Sequence, residues 1–585
     1  MDPRTAAHTL TQIAALLELR GENPFKSRAY SQAARRVLSL DTDDIAPLVR
    51  SGDLDGEPGF GPATLGVLSE LVETGDSAYL EQLREDTPEG LVEMLRIPGL
   101  GTAKIHQIHT GLGVETVEGL EAAARDGRLA ALPRFGAKTA EKVLRGIAFL
   151  RRTDAFVLYP RAVAEGVRLL AAVERHPDVE RAAVAGALRR RREVVRDVDV
   201  VAACSASPAQ VAASFTRLPG VQEAVGAGRP SVTVRFVDGT VLDLHCVRPP
   251  CYALALWRAT GSAEHVRDVA ARAERLGYAL AGDELLDGHG TPIAVRDEET
   301  LYRVLGLAFV PPELREGQGE VDAAARHALP ELLEPHDVRG VLHCHSQYSD
   351  GQATIREMAE AAIARGWSYL GVTDHSQSAS YAGGLTRDQV LRQHDEIDAL
   401  NGEYGARFRL LKGIEADILP CGRVDYDAEL LDRFDYVIGS VHSRFGMNEE
   451  QMTARVLKAL DDPHLTVLGH PTGRLLLTRE PYAIDMHAVI ERAAELGVAI
   501  ELNADPHRLD LDWRLCREAK RRGVTIEIGP DAHSTQGLDN VAVGVGIARK
   551  GWLERGDVLN ARGADEVVAF ARARRQGERA VTSDG

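Results

Sequence analysis

The sequence predicts a multidomain chain: an all-α N-terminal region, an α/β middle, and a C-terminal distorted barrel of seven β/α units. Three observations predict it. At 585 residues the chain exceeds what one hydrophobic core serves, so roughly three to five domains are expected. Near the start, Ala6, Leu10, Ile13, Leu16 and Leu17 recur at helical spacing. From Gly340 onward, seven short apolar runs alternate with amphipathic stretches, the pattern of parallel strands joined by helices.

Composition narrows the class. The six cysteines are scattered and form no C-x-x-C pair, which excludes a zinc ribbon or disulfide framework and fits a reducing compartment. Met1–Arg20 lacks a basic segment followed by an apolar run, and no apolar stretch is long enough to cross a bilayer. A cytoplasmic protein, with no membrane partner and monomeric, is expected. The net charge of −18 suits an enzyme of small-molecule metabolism, but phosphate contacts depend on local patches rather than on the total. One such patch is Arg189, Arg190, Arg191, Arg192 and Arg196; taken alone, a charge run reads as a solvated face.

Residues 5–85 read as helical. A second helix covers Ser27–Leu38, and the turn Gly59-Phe60-Gly61-Pro62 opens a third that runs through Leu71 and stops near Gly75. That turn has echoes in Ile97-Pro98-Gly99-Leu100-Gly101-Thr102 and Leu132-Pro133-Arg134-Phe135-Gly136-Ala137, the last with one glycine lost. The repeat resembles the helix-hairpin-helix motif. Glycines let backbone approach a phosphate, and the following helix offers free N–H groups and the positive end of its dipole. Lys104 and Lys138 fall in the first turn after their hairpins, so Gly99, Gly101, Lys104, Gly136 and Lys138 are candidate DNA contacts. Such contacts position a duplex without reading its sequence. A helical DNA-binding domain over 1–86 and hairpin fingers over 87–150 follow. The bland alternative, tight turns with no ligand, leads for one copy but not for three.

After Ala155 the pattern changes. Val194-Val195-Arg196-Asp197-Val198-Asp199-Val200-Val201 alternates carboxylates with valines, so Asp197 and Asp199 share one face of a strand. Asp243, in Val241-Leu242-Asp243-Leu244, offers a third carboxylate. Three such oxygens suit Mg²⁺ held together with substrate phosphates, and a two-metal site of this kind serves in-line phosphoryl displacement.

This region resembles the family X DNA polymerases, whose pattern is Gly-Ser, then Arg-Arg, then Asp-x-Asp, a later third Asp, and a Thr-Gly-Ser turn, here Thr260-Gly261-Ser262. The resemblance implies a palm over 151–250 and a thumb over 251–318 ending near Pro311–Gly317. It also implies Asp197, Asp199 and Asp243 as catalytic ligands of Mg²⁺ or Mn²⁺, and nucleotide contacts from Gly186, Arg190 and Gly261. The chain departs from the family at Ala187, where the serine is missing, and at Arg258 and Ala259, where two aromatics would pack on the nucleotide sugar. Weak nucleotide binding and poor sugar selection are therefore expected. The helix after the first hairpin, Ala63–Ser69, has no lysine for lyase chemistry on an abasic sugar.

A linker over 319–339, of mixed helical and acidic character, leads to Gly340-Val341-Leu342-His343-Cys344-His345, where two imidazoles share one strand face. Later strand candidates lie at Leu370–Val372, Leu410-Leu411, Tyr436–Ile438, Val467-Leu468, Ala499-Ile500 and Val524–Ile526. Nearly every one leads into a potential ligand: Asp374-His375, Glu415, His442, His470, and Asp531 with His533; Asp350 returns by a loop. Barrels keep their chemistry at this C-terminal mouth. A lone histidine is usually core or cap; six strands ending this way are not.

From Gly340 to about Arg574 the residues are similar to the PHP (polymerase and histidinol phosphatase) superfamily. The resemblance places ligands at His343, His345, Asp350, His375, Glu415, His442, His470, Asp531 and His533, and implies three metal ions with Glu415 as a bridge. Mixed imidazole and carboxylate ligands suit Mn²⁺ or Zn²⁺, or Fe²⁺, more than Mg²⁺. Asp374 is expected to orient a neighbour; Arg474 and Arg508, in the loops after the fifth and sixth strands, read either as surface arginines or as holders of a substrate phosphate. The chemistry implied is metal-assisted phosphoester hydrolysis.

Together the halves match bacterial family X polymerases carrying a PHP domain over 340–575. That implies DNA repair: gap filling with deoxynucleoside triphosphates, and 3′-5′ exonuclease action on gapped or 3′-recessed DNA. Two rivals stay open: a small-molecule phosphatase of the histidinol-phosphate type, against which the three hairpins speak, and a DNA-end binder, either a non-enzymatic scaffold, which the nine-ligand set opposes, or a nuclease without polymerase activity.

Overall fold

In the computed structural model the described residues are all but 39, 41, 43 and 578–585. They form two compact units, Met1–Ala155 and Phe156–Gly585. No helix among them is long and apolar enough to cross a membrane.

The first unit is all helical. Helix α1 (Pro3–Leu19) packs on α2 (Pro24–Leu38), and the stripe of Leu10, Ile13 and Leu17 is fully buried. The three repeated turns open α3 (Pro62–Thr74), α4 (Thr102–Leu112) and α5 (Ala137–Thr153), with Gly61, Gly101 and Gly136 as the residues just before each helix. Two residues earlier the backbone turns left-handed at all three sites: Gly59 (φ 101°), Gly99 (φ 80°) and Arg134 (φ 66°). The third hairpin thus keeps the geometry without its glycine. The strain of a non-glycine residue there is on the order of 1–2 kcal/mol.

The second unit begins with a five-stranded sheet of β1 (Val179–Val184), β2 (Val198–Cys204), β3 (Val221–Val225), β4 (Ser231–Phe236) and β5 (Val241–Val247), ordered β1-β2-β5-β4-β3. Only β2 and β5 pair in parallel, which sets Asp199 directly beside Asp243. A smaller part follows, helices with a three-stranded antiparallel sheet, built on buried Trp257, Leu285 and Tyr302. The stretch read as a linker contains a helix, Glu320–Ala325, whose buried Glu320 accepts from His265 Nδ1 at 2.7 Å.

Most of the arginine run is not a solvated face, although Arg196 is exposed and Arg191 lies 3.7 Å from Glu313 with its side chain partly exposed. Arg189 pairs with Glu298 (2.6 Å), Arg190 with Glu316 (2.9 Å) and Arg192 also with Glu316 (3.4 Å). Lys550, fully buried and far along the chain, donates to Glu316 and to the Arg190 carbonyl. The carboxylates that capture these arginines lie more than a hundred residues downstream, out of reach of any local pattern.

Among its described residues the C-terminal part has eight parallel strands: β6 (Gly340–Val341), β7 (Tyr369–Val372), β8 (Arg409–Lys412), β9 (Glu415–Asp417), β10 (Ile438–Ser440), β11 (Val467–Leu468), β12 (Ala499–Asn503) and β13 (Ile526–Gly529). They form a three-stranded and a five-stranded sheet. Parallel bridges from Cys344 to Ala532 and from His375 to Glu415 join the two into a distorted barrel. The third of the seven apolar runs is broken in two at Gly413, where a Cβ would sit 2.5 Å from the ring of Tyr436. Leu342, Tyr369 and Tyr436 fill the interior below the strand ends, and Val567, Val568 and Phe570 of the final helix (Ala564–Gln576) pack on the same cluster.

Candidate active sites

The palm site rests on β2 and β5. Asp197, Asp199 and Asp243 bring oxygens within 4.8 Å of one another. Thr233, across from Asp243 on β4, donates its hydroxyl to that carboxylate. Burial, then the charges of Asp197 and Asp243, raise the Asp199 carboxyl to about 7. Carboxylates crowded this way are short of positive charge, as expected where divalent ions bind. Gly186 lies against them with φ at 59°, and a Cβ there would fall 1.6 Å from Asp199 Oδ2. An adjoining cleft of about 370 Å³ is lined by Asp199, Arg229, Ser231, Asp243, His245 and Ala259.

The remaining nucleotide candidates are placed differently. Arg190 is mostly buried, with its guanidinium donating to Glu316 and to the Thr260 carbonyl (2.7 Å). Gly261 ends the helix Tyr252–Thr260, and Ser262 caps the next by accepting from the His265 N–H. Ala187 packs against the sheet core. In the hairpins, Gly99, Gly101 and Gly136 face open space, and Lys104 donates to the Gly99 carbonyl at 2.9 Å. Lys138 lies at the second position of α5.

At the barrel mouth all nine expected ligands converge, with Glu415 at the centre. Its oxygens lie 2.9 Å from His375, 3.0 Å from His470, 3.2 Å from His442, 3.5 Å from His343 and 3.7 Å from His345. Asp531 joins through His345 (3.3 Å), and Asp350 through His533 (3.4 Å) and His375 (3.6 Å). Three overlapping sets have ligand spacing: His345, Asp350, His375 and His533; His343, His345 and Glu415; His375, Glu415 and His442. Burial opposes charge on Glu415, but the surrounding imidazoles hold its carboxyl well below the usual range.

The donor set fits divalent ions. His343 Nε2, both nitrogens of His345 and His470 Nδ1 are buried without a hydrogen-bond partner, and His375 Nδ1 and Glu415 Oε2, though 2.9 Å apart, are not aligned as a hydrogen bond. Orphaned buried polar atoms are costly, and all of these except His470 Nδ1, whose ring turns Nε2 to Glu415, face other members of one cluster. His470 (φ 22°) and Asp531 (φ 50°) also carry positive φ, a strain of about 1–3 kcal/mol each that is typical of functional strand ends.

A surrounding layer fixes the ligands. His343 Nδ1 donates to Glu501 at 2.5 Å and His442 Nδ1 to Asp417 at 2.6 Å, which turns each Nε2 toward Glu415. Asn503 donates to Asp531 at 3.0 Å. Asp374, as expected for an orienting residue, accepts from Ser346, Ser349 and Gln393, and so holds the loop that returns Asp350. Sequence reasoning passed over Glu501, Asp417 and Asn503, although each lies two residues from another polar residue on a buried strand. The two arginines part company. Arg508 Nε lies 3.3 Å from Asp531, at the cluster. Arg474 spends its guanidinium on the Arg508 and Leu509 carbonyls and on Asp512, so it braces that loop.

Fold and site define the class: a multidomain α/β protein with helix-hairpin-helix, polymerase-like and PHP parts. Comparison with known families agrees. A helix-hairpin-helix domain matches residues 1–77 and a SAM-like helix-hairpin-helix tandem matches 91–148. The DNA polymerase beta thumb matches 255–316 and the PHP domain 342–505. The DNA polymerase/3′-5′ exonuclease PolX of Bacillus subtilis is 38% identical over 97% of this chain and 99% of its own length. Probable phosphatases of Syntrophotalea carbinolica (28% identical) and Clostridium acetobutylicum (31%) each cover 34% of this chain and about four-fifths of their own length. The chain belongs to the PolX family of DNA polymerases with a C-terminal PHP domain.

Proposed function

We propose that this chain is a DNA polymerase and 3′-5′ exonuclease of DNA repair, acting on gapped or 3′-recessed duplex, with the nuclease dominant. The observation that carries the reading is the gathering of nine ligand residues around one mouth, five histidines within 3.7 Å of Glu415 and Asp350, Asp531 and His533 joined through those histidines. His343, His345, Asp350, His375, Glu415, His442, His470, Asp531 and His533 would hold Mn²⁺ or Zn²⁺, three ions in all. Those ions supply Lewis acidity for in-line hydrolysis of a phosphodiester. The protein's own part is positional. Glu501 and Asp417 fix imidazole orientation, Asp374 fixes the Asp350 loop, and Arg508 offers a cation beside the cluster for the scissile phosphate.

In the palm, Asp197, Asp199 and Asp243 would hold Mg²⁺ or Mn²⁺ for nucleotidyl transfer from deoxynucleoside triphosphates. Ala187 cannot donate the hydrogen bond of the family serine, and Arg258 with Ala259 offers no sugar platform. One lost charge-assisted hydrogen bond costs roughly 1.5–3 kcal/mol, about one to two powers of ten in affinity. The hairpins would grip the DNA backbone, with Gly99, Gly101, Lys104, Gly136 and Lys138 as contacts. We place the enzyme in the cytoplasm as a monomer.

The test is metal analysis of the purified chain with a nuclease assay across metals. His343→Ala or Asp531→Ala should abolish Mn²⁺-dependent nuclease activity and leave DNA binding intact; full activity in both variants refutes the assignment. The phosphatase relatives of the barrel favour a second reading, hydrolysis of a small phosphoester. Turnover on histidinol phosphate above that on a 3′-recessed duplex decides for it.

A further inference from the structure

Among the described residues of the barrel, Tyr381 is the one large apolar side chain that stands exposed, at 69%. Its ring centroid lies 6.2 Å from that of His375 and 6.3 Å from that of His442, so it stands at the mouth of the metal cluster rather than on a remote surface. Asp350 and His533, the most exposed ligands, mark the open side of the same cluster.

The segment that carries Tyr381 is tied down at both ends. Ser376 bridges to Leu385, the Leu385 N–H donates to the His375 carbonyl at 2.8 Å, and the Gly384 N–H donates to Ala379 at 3.1 Å. Ser378 donates to Asp425, and Tyr426 donates its hydroxyl to the Leu385 carbonyl. A Cβ at Gly384 would fall 1.9 Å from the Ser376 carbonyl oxygen, so glycine is what lets the loop close this tightly. The outcome is a braced loop presenting an aromatic face to solvent beside the ligands. Exposing a large ring has a solvation cost, and a substrate that covers the ring recovers it.

We propose that Tyr381 is the stacking platform for the base of the terminal nucleotide whose phosphodiester is hydrolysed at the cluster. Aromatic faces take any base, which suits a nuclease that removes nucleotides regardless of sequence. The proposal rests on the phosphodiesterase reading of the barrel and adds the recognition element that separates a polynucleotide end from a small phosphoester.

The experiment uses the full chain with Mn²⁺ and two oligonucleotides, one ending in an ordinary 3′ nucleotide and one ending in a tetrahydrofuran residue that lacks a base. With the ordinary end, Tyr381→Ala should raise KM about tenfold or more and change kcat by less than about threefold, and Tyr381→Phe should restore the parental KM. With the baseless end, parent and Tyr381→Ala should have equal KM. An unchanged KM in Tyr381→Ala overturns the proposal, as does an equal loss on the baseless end. Tyr381→Phe behaving like Tyr381→Ala also overturns it, because the hydroxyl rather than the ring would then be at work. A parental chain that cleaves neither oligonucleotide overturns the nuclease reading and the platform with it; cleavage without the base-dependent difference overturns the platform alone.

Discussion

Gly186→Ala should silence the palm and spare the barrel. At this position the backbone is left-handed, with φ at 59°, and a Cβ would lie 1.6 Å from Asp199 Oδ2, 2.4 Å from its Cγ and 2.9 Å from its Cβ. The conformation itself costs an alanine about 1–2 kcal/mol. The contact is worse. To restore an ordinary separation near 3.5 Å, the carboxylate or the Gly186 turn must retreat by about 2 Å. Asp199 sits in register with Asp243 on adjacent parallel strands, so the strand cannot slide and the side chain must rotate out of the three-carboxylate set. Displacements of about 1 Å at a reacting centre cost about 10²-fold in rate, so at least that loss is expected. The assay is primer extension on a gapped duplex at millimolar deoxynucleotide, in a His345→Ala background that removes the nuclease. Gly186→Ala should lower kcat by about 10²-fold or more, while the same substitution in the intact chain leaves exonuclease rates within about twofold. Extension within about threefold of the parent would show that the palm tolerates a Cβ against Asp199.

Glu501→Gln, which weakens the hold on the His343 Nδ1–H, should lower metal affinity of the barrel about 10–100-fold in chelator competition, with nuclease activity recovered by added Mn²⁺. Burial first, then the Lys412 charge, pushes the His394 imidazole down to about 4, so the unfolded chain takes up a proton before the folded one as pH falls below 6.5. The stability present at pH 7 is then lost progressively between about 6.5 and 4, up to about 3 kcal/mol, and urea midpoints at pH 7 and 5 should differ less in His394→Leu than in the parent. Lys104→Ala and Lys138→Ala should each weaken duplex binding irrespective of sequence and reduce the slope of log affinity against log salt by about one.

What could be read from the sequence follows from how each feature is encoded. The residues gathered at the barrel mouth were legible because the fold fixes where a strand ends, and one residue there sets what chemistry the mouth can support. His375, Glu415, His442 and His470 each needed no partner to be noticed. The supporting carboxylates were legible in principle, since Glu415-Ala416-Asp417 and Glu501-Leu502-Asn503 place polar residues two apart on strands that should be apolar on both faces. Arg474 and Arg508 were indistinguishable, because what separates them is whether backbone carbonyls of one loop curl around the guanidinium. The third hairpin was only half legible. Its left-handed residue is Arg134, and a sequence pattern expects glycine where the backbone needs that conformation.

The two centres also differ in how ready they are for substrate, and the reason lies in charge pairing. At the barrel, buried imidazole nitrogens without hydrogen-bond partners gather around Glu415 and Asp350, and Arg508 stands alongside with Asp531 at 3.3 Å. In the palm the carboxylates are equally well gathered, but the arginine expected to meet a triphosphate already has partners. Arg190 pairs with Glu316, and Glu316 is shared with Arg192 and Lys550. Taking Arg190 from that lattice leaves Glu316 with two other cations, so the carboxylate is not stranded, but the arginine must still exchange one charge-assisted pair for another. An incoming phosphate therefore gains little from Arg190 beyond what Glu316 already gives it. Added to the missing hydroxyl at Ala187 and the missing aromatics at Arg258 and Ala259, this exchange argues that nucleotide affinity, rather than assembly of the three aspartates, limits synthesis.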